Sequence, residues 1–151
     1  MVAAQAPEVI LCDTTFVSLQ EIAERKPDAI AHWQSDVMSR IDVAILAISV
    51  FTIAEIRAGR IKANWGQRRA DSQEARLAAY VTIPLDEDIL NAYAALHAWS
   101  AGGRPTPHND MWIAATAIAR SLPLVSCDTH FVRIAEDHDL EHIYLPRHAS
   151  D

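Results

Sequence analysis

Val9-Ile10-Leu11-Cys12-Asp13 and, far along the chain, Leu124-Val125-Ser126-Cys127-Asp128 share one build: a short uncharged run closed by an aspartate. Neither run alternates polar with apolar residues, as a strand with one wet face does. A continuous run of this kind suits a strand covered on both sides, and such strands belong to parallel sheets. An acid directly after a strand of a parallel sheet stands at its carboxyl edge, where open α/β folds bind their ligands. The two stretches therefore point both to a fold class and to the place where its chemistry should be sought.

Working outward, Val43 to Ile48 reads as a second buried strand. Between it and the first run, Pro27 followed by Ala29, Ile30, Trp33, Val37 and Ile41 keeps helical spacing, with proline suited to a first turn. Thr52 to Ala58 and Asp71 to Tyr80 read as helices separated by the Gly59 and Gly66 region, and Val81 to Pro84 as a brief strand. Asp86 to Trp99 reads as a helix, and the glycines and prolines of Ala101 to Pro107 break the chain. Asn109 opens a helix that carries Asp110 on one face with Ile113, Ala114, Ala117 and Ile118. Leu124 to Cys127 and His142 to Leu145 complete the strands. Repeated alternation of strand and helix predicts an α/β fold, three layers with a central parallel sheet of about five strands.

At 151 residues, half of them apolar, the chain is expected to form a single domain, residues 1–151. The apolar stretch Val43 to Phe51 falls short of a bilayer span, and Met1 to Gln5 lacks the pattern of a signal peptide, so a cytoplasmic protein without membrane contact is expected. Cys12 and Cys127 are too few for a disulfide framework and are expected as buried, reduced thiols. Because the net charge is −7, bulk attraction to nucleic acid is excluded, and any such chemistry must rest on local features. One local feature is the run Arg57, Arg60, Lys62, Arg68, Arg69 and Arg76, which reads as a solvated helix face or as a contact surface for RNA or an acidic partner.

Four acids are candidates for one site. Asp13 and Asp128 end strands, Glu55 comes early in the helix after the second strand, and Asp110 starts the helix that leads to the fourth. Clustered carboxylates repel one another and raise each other's pKa unless cations compensate, so the group makes sense as a cation site. Oxygen ligands select hard ions, and Mg2+ or Mn2+ fits. Taken singly, each acid reads more readily as a helix cap than as a ligand. Thr52-Ile53-Ala54-Glu55 even matches a capping box, in which Glu55 reaches back to an amide.

Four segments carry a resemblance: Ile10-Leu11-Cys12-Asp13-Thr14-Thr15-Phe16, Ser49 to Gly59, Asn109-Asp110-Met111-Trp112-Ile113-Ala114-Ala115-Thr116-Ala117 and Leu124 to Phe131. In this order and spacing they resemble the PIN domain, in particular the VapC-type toxins of type II toxin-antitoxin systems. The resemblance implies a Mg2+-dependent endoribonuclease, with Mn2+ as a substitute ion. It also implies that Asp13, Glu55, Asp110 and Asp128 are both catalytic and metal-binding. A cognate VapB-type antitoxin and a homodimer come with it. Where the family commonly has Asn two residues after the first Asp, this chain has Thr15. A non-catalytic PIN-like module that binds a protein without cutting RNA is the alternative.

Three other patterns occur in the sequence. His138-Asp139-Leu140-Glu141-His142 has the spacing of inverted zinc peptidases, which needs both histidines on one helix, whereas His142 is expected to open a strand. His108, Asp110, Asp128 and His130 have the donor types of a zinc hydrolase, although solvated loop histidines account for them more simply. Phosphatases of the haloacid dehalogenase type need a second Asp where Thr15 stands, and are discarded.

Overall fold

The computed structural model describes residues 3–151. Five parallel strands, β1 (Val9–Cys12), β2 (Ile45–Ser49), β3 (Val81–Ile83), β4 (Leu124–Ser126) and β5 (His142–Tyr144), lie in the order β3-β2-β1-β4-β5. The helices are α1 (Thr14–Arg25), α2 (Ser35–Val43), α3 (Val50–Lys62), α4 (Gln67–Leu77), α5 (Glu87–Ala101), α6 (His108–Arg120) and α7 (His130–Asp137). A single 3-10 turn, Pro27–Ile30, links α1 to α2. No helix among the described residues is long and apolar enough to cross a membrane.

The uninterrupted apolar character of the strands has the expected cause. Successive side chains of a strand point to opposite faces, and both faces are covered. On β1, Ile10 and Cys12 enter one core with Phe16 and Val17 of α1, Ile41 of α2 and Ile56 of α3. Leu11 enters the other, with Leu96 of α5, Ile113 and Ala117 of α6, and Phe131 and Ile134 of α7. β1 is central, pairing with β2 from Val9 opposite Ile45 to Cys12 opposite Ile48, and with β4 at Leu11 opposite Leu124 and Cys12 opposite Val125.

Several sequence expectations shift. The helix expected from Pro27 onward breaks after one 3-10 turn and resumes at Ser35, because Trp33 turns inward. Its ring stacks on Phe16 at 5.7 Å and its Nε1 donates to the Pro146 carbonyl at 2.8 Å. The strand expected from Val43 begins at Ile45, since Val43 is the exposed last residue of α2. Gly59 does not divide two helices. It lies inside α3, and the break comes at Asn64, whose φ of 52° turns the chain before Gly66 caps α4.

Cys12 and Cys127 are both free and buried beneath the carboxyl edge. Burial, reinforced by the nearby Asp13 charge, pushes the Cys127 thiol up to about 12 and raises Cys12 as well. Because the thiolate is the reactive form, a thiol reagent at neutral pH is expected to label both cysteines only as the protein unfolds. A rapid native-state burst from both would contradict this burial. The packing has its own check in Phe131, which has no exposed surface. Phe131→Ala is expected to lose about 3–5 kcal/mol in urea denaturation.

Candidate active site

Asp13 follows β1 directly and is the N-cap of α1, its side chain accepting from the Thr15 amide at 3.4 Å. The Thr15 hydroxyl at 2.7 Å and the Ser126 hydroxyl at 2.9 Å both donate to the same oxygen, Oδ2. With only 2% of its surface exposed, Asp13 has its pKa raised by burial, which outweighs these donors. Thr15 thus fills the departure noted in the sequence. Its hydroxyl also accepts from the Cys127 amide at 3.0 Å, tying the end of β1 to the chain leaving β4.

Glu55 faces Asp13 from α3. The capping box expected of Thr52 and Glu55 is not formed, because α3 starts earlier, at Val50, where Ser49 is the N-cap and accepts from the Phe51 amide at 3.1 Å. Thr52 is instead buried inside the helix, within hydrogen-bond reach of Thr14 Oγ1 at 3.2 Å. The Thr14 hydroxyl donates to Glu55 Oε1 at 2.8 Å. Burial raises the Glu55 pKa and the Asp13 charge adds to it, while Thr14 and Asn109 hold it back.

Asp110 lies in the first turn of α6 and Asp128 in the link from β4 to α7. The Asp128 amide donates to Ser126 Oγ at 2.8 Å, and Asp128 Oδ1 accepts from the His130 amide at 3.0 Å. The His130 ring joins the two acids, its Nδ1 lying 2.8 Å from Asp110 Oδ2 and 3.1 Å from Asp128 Oδ1. Asp110 is pushed up to about 6, first by burial and then by the Asp13 and Asp128 charges, against the hydrogen bond from His130. Donor atoms of Asp110, Asp128 and His130 all lie within 4.8 Å of one another, close enough to share one ion.

The fold therefore gathers all four sequence candidates along one edge, Glu55 beside Asp13, Asp13 beside Asp110, and Asp110 beside Asp128. Sequence reading set His130 with Asp110 and Asp128 only as zinc donor types, more simply read as a solvated histidine, and it missed Thr14 and Ser126 as donors. Position signals all three, since Thr14 follows the first acid, Ser126 ends the fourth strand and His130 stands two residues beyond its acid. Of the zinc donor types His108, Asp110, Asp128 and His130, the structure gathers the last three, whereas His108 Nδ1 is engaged with the Tyr93 hydroxyl at 2.7 Å. His138 and His142 do not share a helix: α7 ends at Asp137 and His142 opens β5.

Comparison with known proteins bears on the same architecture. The PIN domain family model matches residues 10–137. Ribonuclease VapC5 of Mycobacterium tuberculosis is 35% identical over 92 residues, which are 59% of this chain and 68% of that protein. The crystal structure of VapBC-5, a toxin-antitoxin system of the same organism, contains a chain 26% identical with a TM-score of 0.66, covering 91% of this chain and 99% of its own. VapBC-1 from nontypeable Haemophilus influenzae, at 22% identity and a TM-score of 0.71 over 91% of this chain and 98% of its own, shares the fold. A match that spans both β1 with its aspartate and β4 with its own leaves one assignment: the chain belongs to the PIN domain family, with the VapC-type proteins.

Proposed function

We propose that the protein is a Mg2+-dependent endoribonuclease, the toxin of a type II toxin-antitoxin pair, acting in the cytoplasm. In this reading Asp13, Glu55, Asp110 and Asp128 hold the metal and carry catalysis. The observation that carries it is the gathering of acids whose pKa values are raised together, Asp13, Glu55 and Asp110, around a shared edge. Such a group is short of positive charge, and a divalent cation supplies what it lacks. The donors fit, since carboxylate oxygens take Mg2+ and Mn2+, and the His130 nitrogen is also acceptable to Mn2+.

Held by Asp13, Glu55, Asp110 and Asp128, Mg2+ or Mn2+ would supply positive charge to offset that of the phosphate and would lower the pKa of a water. The chain's own residues do the positioning. Thr15 and Ser126 both donate to Asp13 Oδ2 and so fix the rotation of that carboxylate. Thr14 holds Glu55 by one oxygen, and His130 spans Asp110 and Asp128. A VapB-type antitoxin as partner is supported by the VapBC-5 neighbour, whose structure is that of a toxin-antitoxin system. A homodimer completes the proposal and is checked by light scattering.

Glu55→Gln and Asp13→Asn keep hydrogen-bonding shape while removing charge. Each is expected to lower Mg2+-dependent RNA cleavage by about a hundredfold or more, the scale of a positioned catalytic group, with the melting temperature unchanged or raised. Full activity in either variant sinks the proposed roles.

A second check uses the sign of the Asp110 shift. Its pKa in the folded protein, about 6, exceeds its ordinary value of 3.8, so its stabilising contribution is present below 3.8 and is lost as pH rises towards 6. In EDTA, Asp110→Asn is therefore expected to melt above wild type at pH 7.5, with the advantage gone at pH 4. His142, pushed down by burial to about 4, has the opposite trend but is common to both proteins. Mg2+ should raise the melting temperature of wild type and leave Asp110→Asn nearly unmoved. Equal shifts in both would remove Asp110 from the metal site.

A further inference from the structure

Two adjoining depressions, of which the first begins at Glu55, share Glu21, Arg25 and Arg69 in their lining. The first, a groove of about 340 Å³, starts at Thr14 and Glu55 and passes between α1 and the α3-α4 turn to Arg25, Trp65 and Arg69. The second, about 550 Å³, continues from Arg25 and Arg69 to Arg68. Glu55 stands at one end of this track and guanidinium groups gather at the other, where Glu21 lines both depressions but is engaged with Arg76, in a chain whose net charge is −7.

The arginines of this region divide into two groups. Arg57 and Arg60 are held by Glu74, and Arg76 by Glu21 and Glu24. Those ion pairs brace α4 against α3 and α1, which is the structural half of the basic run. Arg25, Arg68 and Arg69 form no ion pair among the described residues. Arg69 is nonetheless fixed, since its guanidinium carbon lies 3.4 Å from the centroid of the Trp65 ring. Trp65 is itself set by the turn at Asn64, its amide donating to the Arg60 carbonyl at 3.1 Å. A guanidinium stacked by its face keeps its N–H edge for other partners, and that planar fork matches a phosphate.

We infer that this track holds the RNA strand beside the scissile phosphate, with Arg25 and Arg69 binding backbone phosphates and Trp65 acting as the positioning residue for Arg69. The inference rests on the nuclease reading above. Continuity favours RNA over an acidic protein segment: the strand must reach the acids while carrying its own negative charge, and arginines along its approach offset that charge where the acids cannot. Contacts to phosphate position a strand without reading its bases, so the effect should be similar across RNA sequences.

The test pairs cleavage kinetics with binding of a labelled single-stranded RNA to the Asp13→Asn protein. Arg25→Ala and Arg69→Ala, placed separately in the active protein, are expected to raise KM several-fold while kcat changes by less than about twofold, since the lost contacts bind substrate and transition state alike. In the Asp13→Asn background each should reduce the slope of log Kd against log salt by about 0.7. Trp65→Ala should reproduce Arg69→Ala, and Trp65→Phe, which keeps a ring for the guanidinium, should restore most of the binding. Unchanged KM and salt slope in an enzyme that still cleaves RNA overturn the inference and leave the nuclease reading intact. Loss of antitoxin binding with RNA binding unchanged overturns it too, and makes the track a protein-docking surface. If the wild-type protein cleaves no RNA, the nuclease reading fails instead, and the salt slope of binding still decides whether RNA occupies the track.

Discussion

The parallel pairing of β1 with β4 is the constraint on which the site depends. Leu11 lies opposite Leu124 and Cys12 opposite Val125, and the Asp13 amide donates to the Val125 carbonyl at 3.0 Å. Two strands far apart in sequence thereby end level with each other, and the acids that follow them emerge at the same edge. Ser126 Oγ then serves both sides, donating to Asp13 and accepting from the Asp128 amide. Thr15 makes the reciprocal tie from α1 to the Cys127 amide. A slip of one residue in this register would turn Leu11 and Leu124 to the wrong core and separate these groups, so the two packed faces of the sheet hold the chemistry in alignment.

That alignment works against the local electrostatics. Asp13 is buried, Glu55 and Asp110 are partly buried, and each bears the repulsion of a neighbouring acid or the loss of water, so all three hold protons more tightly than ordinary carboxylates. What retains them is structure with another purpose. Asp13 caps α1, and Asp110 sits in the first turn of α6, where a negative charge is favoured by the helix dipole. Capping and clustering, which compete as explanations of any single acid, are compatible here. The helix start provides a reason for the acid to be present, and convergence of several helix starts on one sheet edge makes the set unusual.

Much of this was legible in the sequence, and the failures share a cause. The strands were visible because burial on both faces leaves an uninterrupted apolar run, and Val9–Cys12 matches it residue for residue. Helix boundaries were less legible where tertiary partners override local signals. Trp33 breaks its helix to reach Phe16 and the Pro146 carbonyl, neither of which is near in sequence. Gly59 reads as a break, yet α3 continues through it. The Thr52 capping box failed because Ser49, three residues earlier, captures the helix start, which frees Glu55 to face Asp13. His130 was legible as a donor type beside Asp128, but its closeness to Asp110 depends on α6 and the β4-α7 link meeting, a contact that no local pattern encodes.

His130 also bears on how the acids are held together. Its Nδ1 lies between Asp110 and Asp128, in the place where positive charge is most needed. A ring at that point donates a hydrogen bond to one of the carboxylates, relieving part of the repulsion that burial makes severe, and so makes the metal-free fold easier to keep. Were a cation to take those oxygens, as proposed, the same ring would have to turn aside or join the ligands. An imidazole that is half exposed, as His130 is, has room for either. The site thus combines well-anchored members on the sheet side, Asp13 with Thr15 and Ser126, with one half-exposed member at its rim, which stands between two of the carboxylates whose repulsion it relieves.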